Sequence, residues 1–391
     1  MTKQEFLESA ASRYDELKAL NKVTDFYDYE VEFVRIWREL GKEVLEKNIG
    51  ELSGDKRKKN LTTLGYVTIN NNHPFSKGKN GFQISPRMQE LMVYAGQMDC
   101  YENCQDVIDK FLDIAVSKTQ VHRVTDAYGE QIGKTVNQHP ILTPLKKEEV
   151  LYVEADGSML LTRKEGWKEV KLGRIFKSSD CIHAGEKPGW ISNSQYVAHL
   201  GGHKKFTDQM EHLIDSYSYP HSKLIFITDG APWLKHWIED AYPGSYSILD
   251  YYHACEYLHA FSREHFNCRQ QEEQWIQQQK ELLLESSAEQ VIRNVEQLNS
   301  SKKQARKLRE YYQANLDRMD YKTYKQMGCA IIGSGAIESA HRKVIQKRMK
   351  QSGQRWSKNG AQHMLNLRVI KCNNQWDKIV ALTKTEFKKA A

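Results

Sequence analysis

No apolar run in this 391-residue chain approaches the ~20 residues that cross a bilayer, and the N-terminus, Met-Thr-Lys-Gln-Glu-Phe, lacks the charged-then-apolar layout of a signal peptide. A cytoplasmic protein without a membrane partner is expected. Cysteine is sparse: seven residues, at 100, 104, 181, 255, 268, 329 and 372, are scattered singly, which excludes a secreted disulfide framework. Only Cys100 and Cys104 are close, and without a second pair nearby they read as two thiols on one helix face, not half of a zinc site. Internal repeats and extended low-complexity tracts are also missing. What remains, 40% hydrophobic and 27% charged residues, is the composition of a globular protein of two or three domains.

Net charge is +7 and unevenly placed. From His341 to Ala391 thirteen Lys or Arg stand against two acids, +11, leaving −4 for the first 340 residues. Trp356, Met364, Leu365, Leu367 and Trp376 interrupt that block, so it reads as a folded basic face suited to phosphate backbones, with a merely soluble surface as the alternative.

From Asp25 to Asn48 the residues Phe26, Tyr29, Phe33, Ile36, Trp37, Leu40 and Val44 recur at three- and four-residue steps, the mark of a long amphipathic helix. Gly50 to Lys59, with Lys56-Arg57-Lys58-Lys59, reads as a basic linker, and Leu64 to Ile69 as part of a short hairpin. Between Ser85 and Lys134 three short helices are expected. The first is opened by Ser85-Pro86 with Met88, Leu91, Met92 and Ala95 inward; the second buries Cys104, Val107, Ile108 and Phe111; the third is capped by Ser117 and buries Val121, Val124 and Tyr128. The third turns Lys118, Thr119, Gln120, His122 and Arg123 to solvent, as a helix-turn-helix recognition helix would toward a major groove. An ordinary trihelical packing unit has the same pattern.

From Val150 the pattern turns to strands: Val150 to Asp156, Met159 to Thr162 and Val170 to Phe176, then a helix from Phe206 to Tyr217, a strand from Leu224 to Asp229, a helix from Pro232 to Ala241 and a strand from Tyr246 to Asp250. That order is the one of a ribonuclease-H-like sheet. Glu256 to about Asp320 is helical and reads as an all-helical insertion. Gly333-Ser334-Gly335-Ala336-Ile337-Glu338 then opens a helix running to about Lys350, where Glu338 taken alone reads as helix N-terminal stabilisation.

Two apolar strands end in acids followed by glycine, Asp156 and Asp229, and α/β sheets place their chemistry at such ends. Together with Glu338 they supply the hard oxygen ligands, from separate segments, that metal-assisted phosphoryl transfer needs. Asp250-Tyr251-Tyr252-His253 ends the next strand, and a histidine there suits a hydrogen bond to a ligand carboxylate or a phosphate oxygen.

The combination of Glu154-Ala155-Asp156-Gly157, Thr228-Asp229-Gly230-Ala231-Pro232-Trp233, Asp250-Tyr-Tyr-His253, Ile-Gly-Ser-Gly-Ala-Ile-Glu338-Ser-Ala, Arg348-Met-Lys-Gln-Ser-Gly-Gln-Arg-Trp-Ser357 and Leu365-Asn-Leu-Arg368 resembles the bacterial insertion-sequence DDE transposases, specifically the ISKra-type members akin to the Mutator-like group. The resemblance spans roughly residues 60 to 370 and is specific in combination. It implies a ribonuclease-H-like catalytic domain (146–255 and 330–372) with a helical insertion (256–329), N-terminal helices and linker (1–59), a helical DNA-binding region (60–145) and a basic tail (373–391). Asp156, Asp229 and Glu338 would bind Mg²⁺ or Mn²⁺, with Asp250 and His253 matching the Asp-x-x-His. The implied partners are double-stranded DNA, as terminal inverted repeats and target, and further copies of the chain in a homodimer or larger assembly. Many relatives carry a cysteine-rich ribbon that residues 50 to 80 lack, which makes the helical module and Lys56 to Lys59 candidates for end recognition.

Near the scissile bond Arg342, Lys343, Arg348, Lys350 and Arg355 are expected on phosphates, beside Lys118 and Arg123 of the helical region. Trp356 is expected either to stack on an unpaired base or to close the core behind the catalytic helix. Two further readings keep the fold: a DNA-binding or domesticated protein that no longer cuts, and a nuclease without strand transfer.

Overall fold

In the computed structural model the described residues are 1–50, 56–135, 145–146, 149–184, 187–217, 223–298 and 302–387. They form two compact units, one made of Met1–Ile132 with Gln375–Ala391 and the other of Gly133–Asn374. Among the described residues no helix is long and apolar enough to cross a membrane.

In the first unit the long helix runs Phe26–Gly50. Its apolar stripe is only partly covered: Ile36 and Leu40 are buried, whereas Phe26, Phe33 and Trp37 are exposed. The basic run is not a linker. Arg57–Thr62 (β1) pairs antiparallel with Gly65–Asn70 (β2), and the turn between them leaves the cationic end of β1 at the surface. The start of the expected linker, residues 51–55, lies outside the described residues.

Three helices follow where expected, Pro86–Gly96, Tyr101–Leu112 and Lys118–Gly133. Ser85 caps the first by accepting from Met88 N–H, and Ser117 caps the third by accepting from Gln120 N–H at 3.1 Å. Val121, Val124 and Tyr128 are buried as the spacing requires, but Val107 and Phe111 of the middle helix are exposed, so its inward face is Cys104 and Ile108 alone. Gly96 lets the first and third helices touch: a Cβ there would lie 2.2 Å from Thr125 Oγ1. The chain's last part is no free tail. Asp377–Lys384 is a helix; the Trp376 indole N–H bonds Glu90 at 3.0 Å, and Phe387 meets the Tyr128 ring edge-on.

The second unit is built on a five-stranded mixed sheet. Val150–Thr162 (β3) pairs antiparallel with Gly166–Lys177 (β4), a small hairpin of Cys181–Ala184 (β5) and Lys187–Ile191 (β6) follows, and Gln195–Leu200 (β7) closes one side beyond β4. Lys223–Thr228 (β8) and Tyr246–Leu249 (β9) add on the other side of β3, both parallel, giving the order β7-β4-β3-β8-β9.

The expected strand turn at Gly157-Ser158 does not exist. Gly157 faces Lys171 in the continuous ladder, and the chain reverses instead at residues 163–165, with Gly166 at φ +68°. The third antiparallel strand is therefore β7 and not Val170 to Phe176, which lies within β4.

Alternation along β3 and β8 sends Val150, Tyr152, Ile225 and Ile227 into one core and Leu151, Val153, Leu224 and Phe226 into the other. The second core is closed by the helices His203–Asp215 and Pro232–Ala241. The first is closed by an all-helical stretch: Tyr251–His265, Arg269–Leu284, Ala288–Gln297 and Lys303–Gln313. Along the β7 edge runs Lys358–Cys372. Asn373 makes paired bonds to Tyr196 N–H and C=O at 2.9 and 3.0 Å, and Gln362 accepts from Leu200 N–H at 2.8 Å.

Candidate active site

The parallel register pairs Ala155 with Thr228, so the next residues, Asp156 and Asp229, stand side by side on neighbouring strands. Neighbouring strands lie about 4.8 Å apart, and residues in step share a face. That face is the one under the helical stretch, since Tyr152 and Ile227 on the same alternation belong to its core. One oxygen of each carboxylate is tied locally, Asp156 Oδ1 by Gly157 N–H at 2.7 Å and Asp229 Oδ1 by Ala231 N–H at 3.0 Å. Burial pushes Asp229 above the usual aspartate range; Ala231 N–H opposes this, the Asp156 charge adds to it, and His253 and Arg318 pull it back. Two carboxylates side by side, one of them buried, supply hard oxygen donors for a cation.

Behind the pair Arg318 is buried and sews two strand ends together: it donates to Thr228 Oγ1 at 2.6 Å, to the Thr228 and Ile248 carbonyls at 3.3 Å each, and to Asp229 O at 3.4 Å. Gly230 is required by the Tyr311 ring, which a Cβ would approach to 2.4 Å. Tyr311 stacks on Tyr257 at 4.0 Å, and both line a groove of about 590 Å³ with His253 and Lys307. His253 is partly exposed, 3.5 Å from Glu256, and its charge reaches Asp229.

Asp250 is 3% exposed and spent on capping: one oxygen accepts from Tyr252 N–H at 3.0 Å and from Ser334 N–H at 2.9 Å. Through that oxygen it fixes the loop that starts the Glu338 helix. Gly333 in that loop passes so close to Tyr252 that a Cβ would lie 2.5 Å from the ring.

Glu338 is exposed in the first turn of Gly335–Ala340, whose start is held by Arg174 donating to Ala336 O. One turn on, His341 is buried, with Nε2 3.1 Å from Asp156 Oδ2 but off the alignment of a hydrogen bond. His341 opens a π-helical stretch to Gln346. Such widened turns collect at functional sites, and here Arg368 takes up the Val344 carbonyl at 3.2 Å. Among the described residues no three His, Cys, Asp or Glu side chains are close enough to hold a metal ion together. Asp156 and Asp229 fit a hard divalent cation in donor chemistry and position, and Glu338 stands one helical turn from the histidine beside them.

Of the expected phosphate contacts Arg342, Lys343, Lys350 and Arg355 are exposed, and Lys350 reaches Ser158 Oγ on β3 near Asp156. Lys118 is exposed but paired with Glu102 at 3.4 Å, and Arg123 is exposed. Arg348 is a correction, and for Trp356 the core-closing alternative holds. Arg348 is 1% exposed, its guanidinium 5.1 Å from the Trp356 ring centre; Trp356 is 8% exposed and donates its indole N–H to Met349 O. They close the core behind the helix. His341 and Arg318 were missed. Position three after Glu338 was a legible hint for the histidine; nothing local marked the arginine.

The fold and site define a mixed α/β protein in which Asp156, within β3, stands beside Asp229, just past the end of the parallel neighbour β8. Residues 82–386 match the model of the uncharacterised protein family UPF0236, and the chain belongs to that family. It is also similar to a protein described as "UPF0236 protein in vanSb 3'region" of Streptococcus gallolyticus, 25% identical over 280 residues. The match covers 68% of this chain and 60% of that curated relative.

Proposed function

We propose that the protein is a DDE transposase with a ribonuclease-H-like catalytic unit, which binds DNA ends of a mobile element and performs metal-dependent cleavage and strand transfer. The observation that carries this reading is the register placing Asp156 beside Asp229 on the central strands, with the Glu338 helix docked over the same face. Three antiparallel strands, two parallel ones and a helical insertion before the last acid support it.

Asp156 and Asp229 would hold Mg²⁺ or Mn²⁺, and Glu338 would join them when its helix shifts. The bound ion supplies Lewis-acid polarisation of a phosphoryl oxygen and makes a water or 3′-hydroxyl more acidic. The protein's own contribution is positional. Lys350, Arg342 and Lys343 grip backbone phosphates, His253 donates a hydrogen bond to a phosphate oxygen, and Arg318 ties the Asp229 end of β8 to β9.

The test is cleavage and joining of oligonucleotides carrying the element's terminal repeats, with Mg²⁺ or Mn²⁺. Asp156→Asn and Asp229→Asn should each lower cleavage by at least about 100-fold, the scale on which removal of one electrostatic stabiliser registers, while leaving DNA binding near that of the parent. Unchanged cutting by either variant refutes the proposal. One observation favours a second reading, a DNA-binding protein that does not cut: the exposed Glu338 outside any three-ligand cluster. Glu338→Gln separates the two, since it silences a transposase and leaves a pure binder unchanged.

A further inference from the structure

Asp156, Leu172 and Ala198 stand in one row across β3, β4 and β7, and Gly157, Lys171 and His199 form the next. Successive rows face opposite sides of a sheet, so Lys171 and His199 lie one residue beyond Asp156, on the side away from the Glu338 helix. Cations collect there. Lys171 is buried, pairs with Glu169, donates to Gly201 O at 3.0 Å and lies 5.3 Å from the Trp233 ring centre. Trp233, four residues on from Asp229, stacks on His203 with ring centres 5.7 Å apart.

His203 opens the helix His203–Asp215, with Lys204 and Lys205 after it in the first turn, and all three are exposed. Lys358, also exposed, comes in from the other flank. It starts the helix Lys358–Cys372, in which Gln362, one turn on, accepts from Leu200 N–H at 2.8 Å, and this sets Lys358 beside the end of β7. Burial, then the charges of Lys205, Lys171 and Lys358, hold His199 below the usual histidine range.

Among the described residues Lys204, Lys205 and Lys358 pair with no acid. Neither helix carries an acid in its first turn, and cations at that end oppose the helix dipole. An anion laid across them relieves both the dipole and their mutual repulsion. Because the free ammonium groups are exposed and come from two helices, the surface suits an extended polyanion and not one small ion.

We propose that Lys204, Lys205 and Lys358 hold the backbone of duplex DNA on the side of the sheet opposite Glu338, as a second track. A duplex met by Lys350, which reaches Ser158 on β3, continues across the strand ends onto these three, while Trp233 and Lys171 fix the surface beneath them. The choice of DNA as the polyanion rests on the transposase reading of the Asp156–Asp229 site.

The experiment titrates the full-length chain into a short fluorescein-labelled duplex of mixed sequence and follows anisotropy, with a chelator present so that nothing is cut, over a range of salt concentrations. The triple variant Lys204→Ala, Lys205→Ala, Lys358→Ala should lower the log–log slope of affinity against salt by about 2.7, at roughly 0.9 per phosphate. The same three positions changed to Arg should keep it. Removing equal charge from exposed cations elsewhere, with Lys303→Ala, Arg306→Ala and Lys325→Ala, should leave the slope near the parent's. If the alanine triple does not fold, Lys205→Gln alone should lower the slope by about 0.9. A parent that binds, with a slope that neither the triple nor the single variant moves, overturns the second track and leaves the transposase reading standing. A parent that binds no duplex overturns both.

Discussion

Glu154, two residues before Asp156 on the same strand face, is fully buried and neither of its oxygens has a hydrogen-bond partner. Burial pushes its carboxyl up to about 8 from 4.5, against the pull of Arg174, which faces it across the β3–β4 ladder. The folded protein thus holds this proton more tightly than the unfolded chain. Its contribution to stability is fullest below about 4.5 and is lost as pH rises to about 8. Glu154→Gln should flatten the fall in Tm across that window and raise Tm above it; a thermal profile parallel to the parent's would refute the assignment. Asp229 follows the same sign. Its raised pKa means protons compete with a bound cation at low pH, so the Mg²⁺ or Mn²⁺ concentration needed for half-maximal cleavage should fall as pH rises. Arg318 offers a test without any substrate. Arg318→Ala takes the donor from the Thr228 hydroxyl and from the Ile248 carbonyl, while the Thr228 carbonyl keeps Asp250 N–H; at about 1–3 kcal/mol per buried group, a loss of about 2 kcal/mol or more should appear in denaturant unfolding.

Among the elements, those with local signatures were legible: the Ser85 and Ser117 caps, the Pro232 helix start and the apolar run of β8 are written within a few neighbouring residues. Long-range partners were not. Gly157 carries the same letters whether it turns or extends, and only β4, pairing through Lys171, keeps it in the ladder. Asp229 was legible as a strand end, whereas β3 runs on past Asp156 to Thr162, and the adjacency of the two depends on a parallel register between segments about 70 residues apart. Arg318 reaches Asp229 O across 89 positions, from a stretch whose composition says only helix. Phe111 and Val107 fitted a helical stripe yet face outward, because amphipathic spacing does not say how wide the covered face is. The close approach at Gly230 gives an element-scale prediction. Gly230→Ala must displace Tyr311 from its stack on Tyr257, at about 1–3 kcal/mol for overpacking, and should quench cleavage through movement of the Asp229 turn; an undisturbed crystal structure of the variant would contradict this.

For the whole molecule the +11 of the last 51 residues overstates what DNA can meet. Arg348 and Arg368 are buried, and residues from 375 onward belong to the first unit. Of the exposed cations that remain in residues 341–374, Arg342, Lys343, Lys350 and Arg355 are the four expected on phosphates, with Lys347 and Lys358 also exposed. If all four meet phosphates, the log–log slope of duplex affinity against salt is about −3.6 from that face, at roughly −0.9 per phosphate. Replacing any one by Ala should reduce the slope by about one unit, and a slope unaffected by all four would remove this face from the interface.

Asn373 and Gln362 have a consequence for how copies of the chain meet. By taking up the outward backbone groups of Tyr196 and Leu200 they occupy the positions through which a foreign strand would extend the sheet on that flank. Strand addition along β7 is therefore closed at these positions, and an Asn373→Ala chain, with that border unsealed, should be the variant that aggregates.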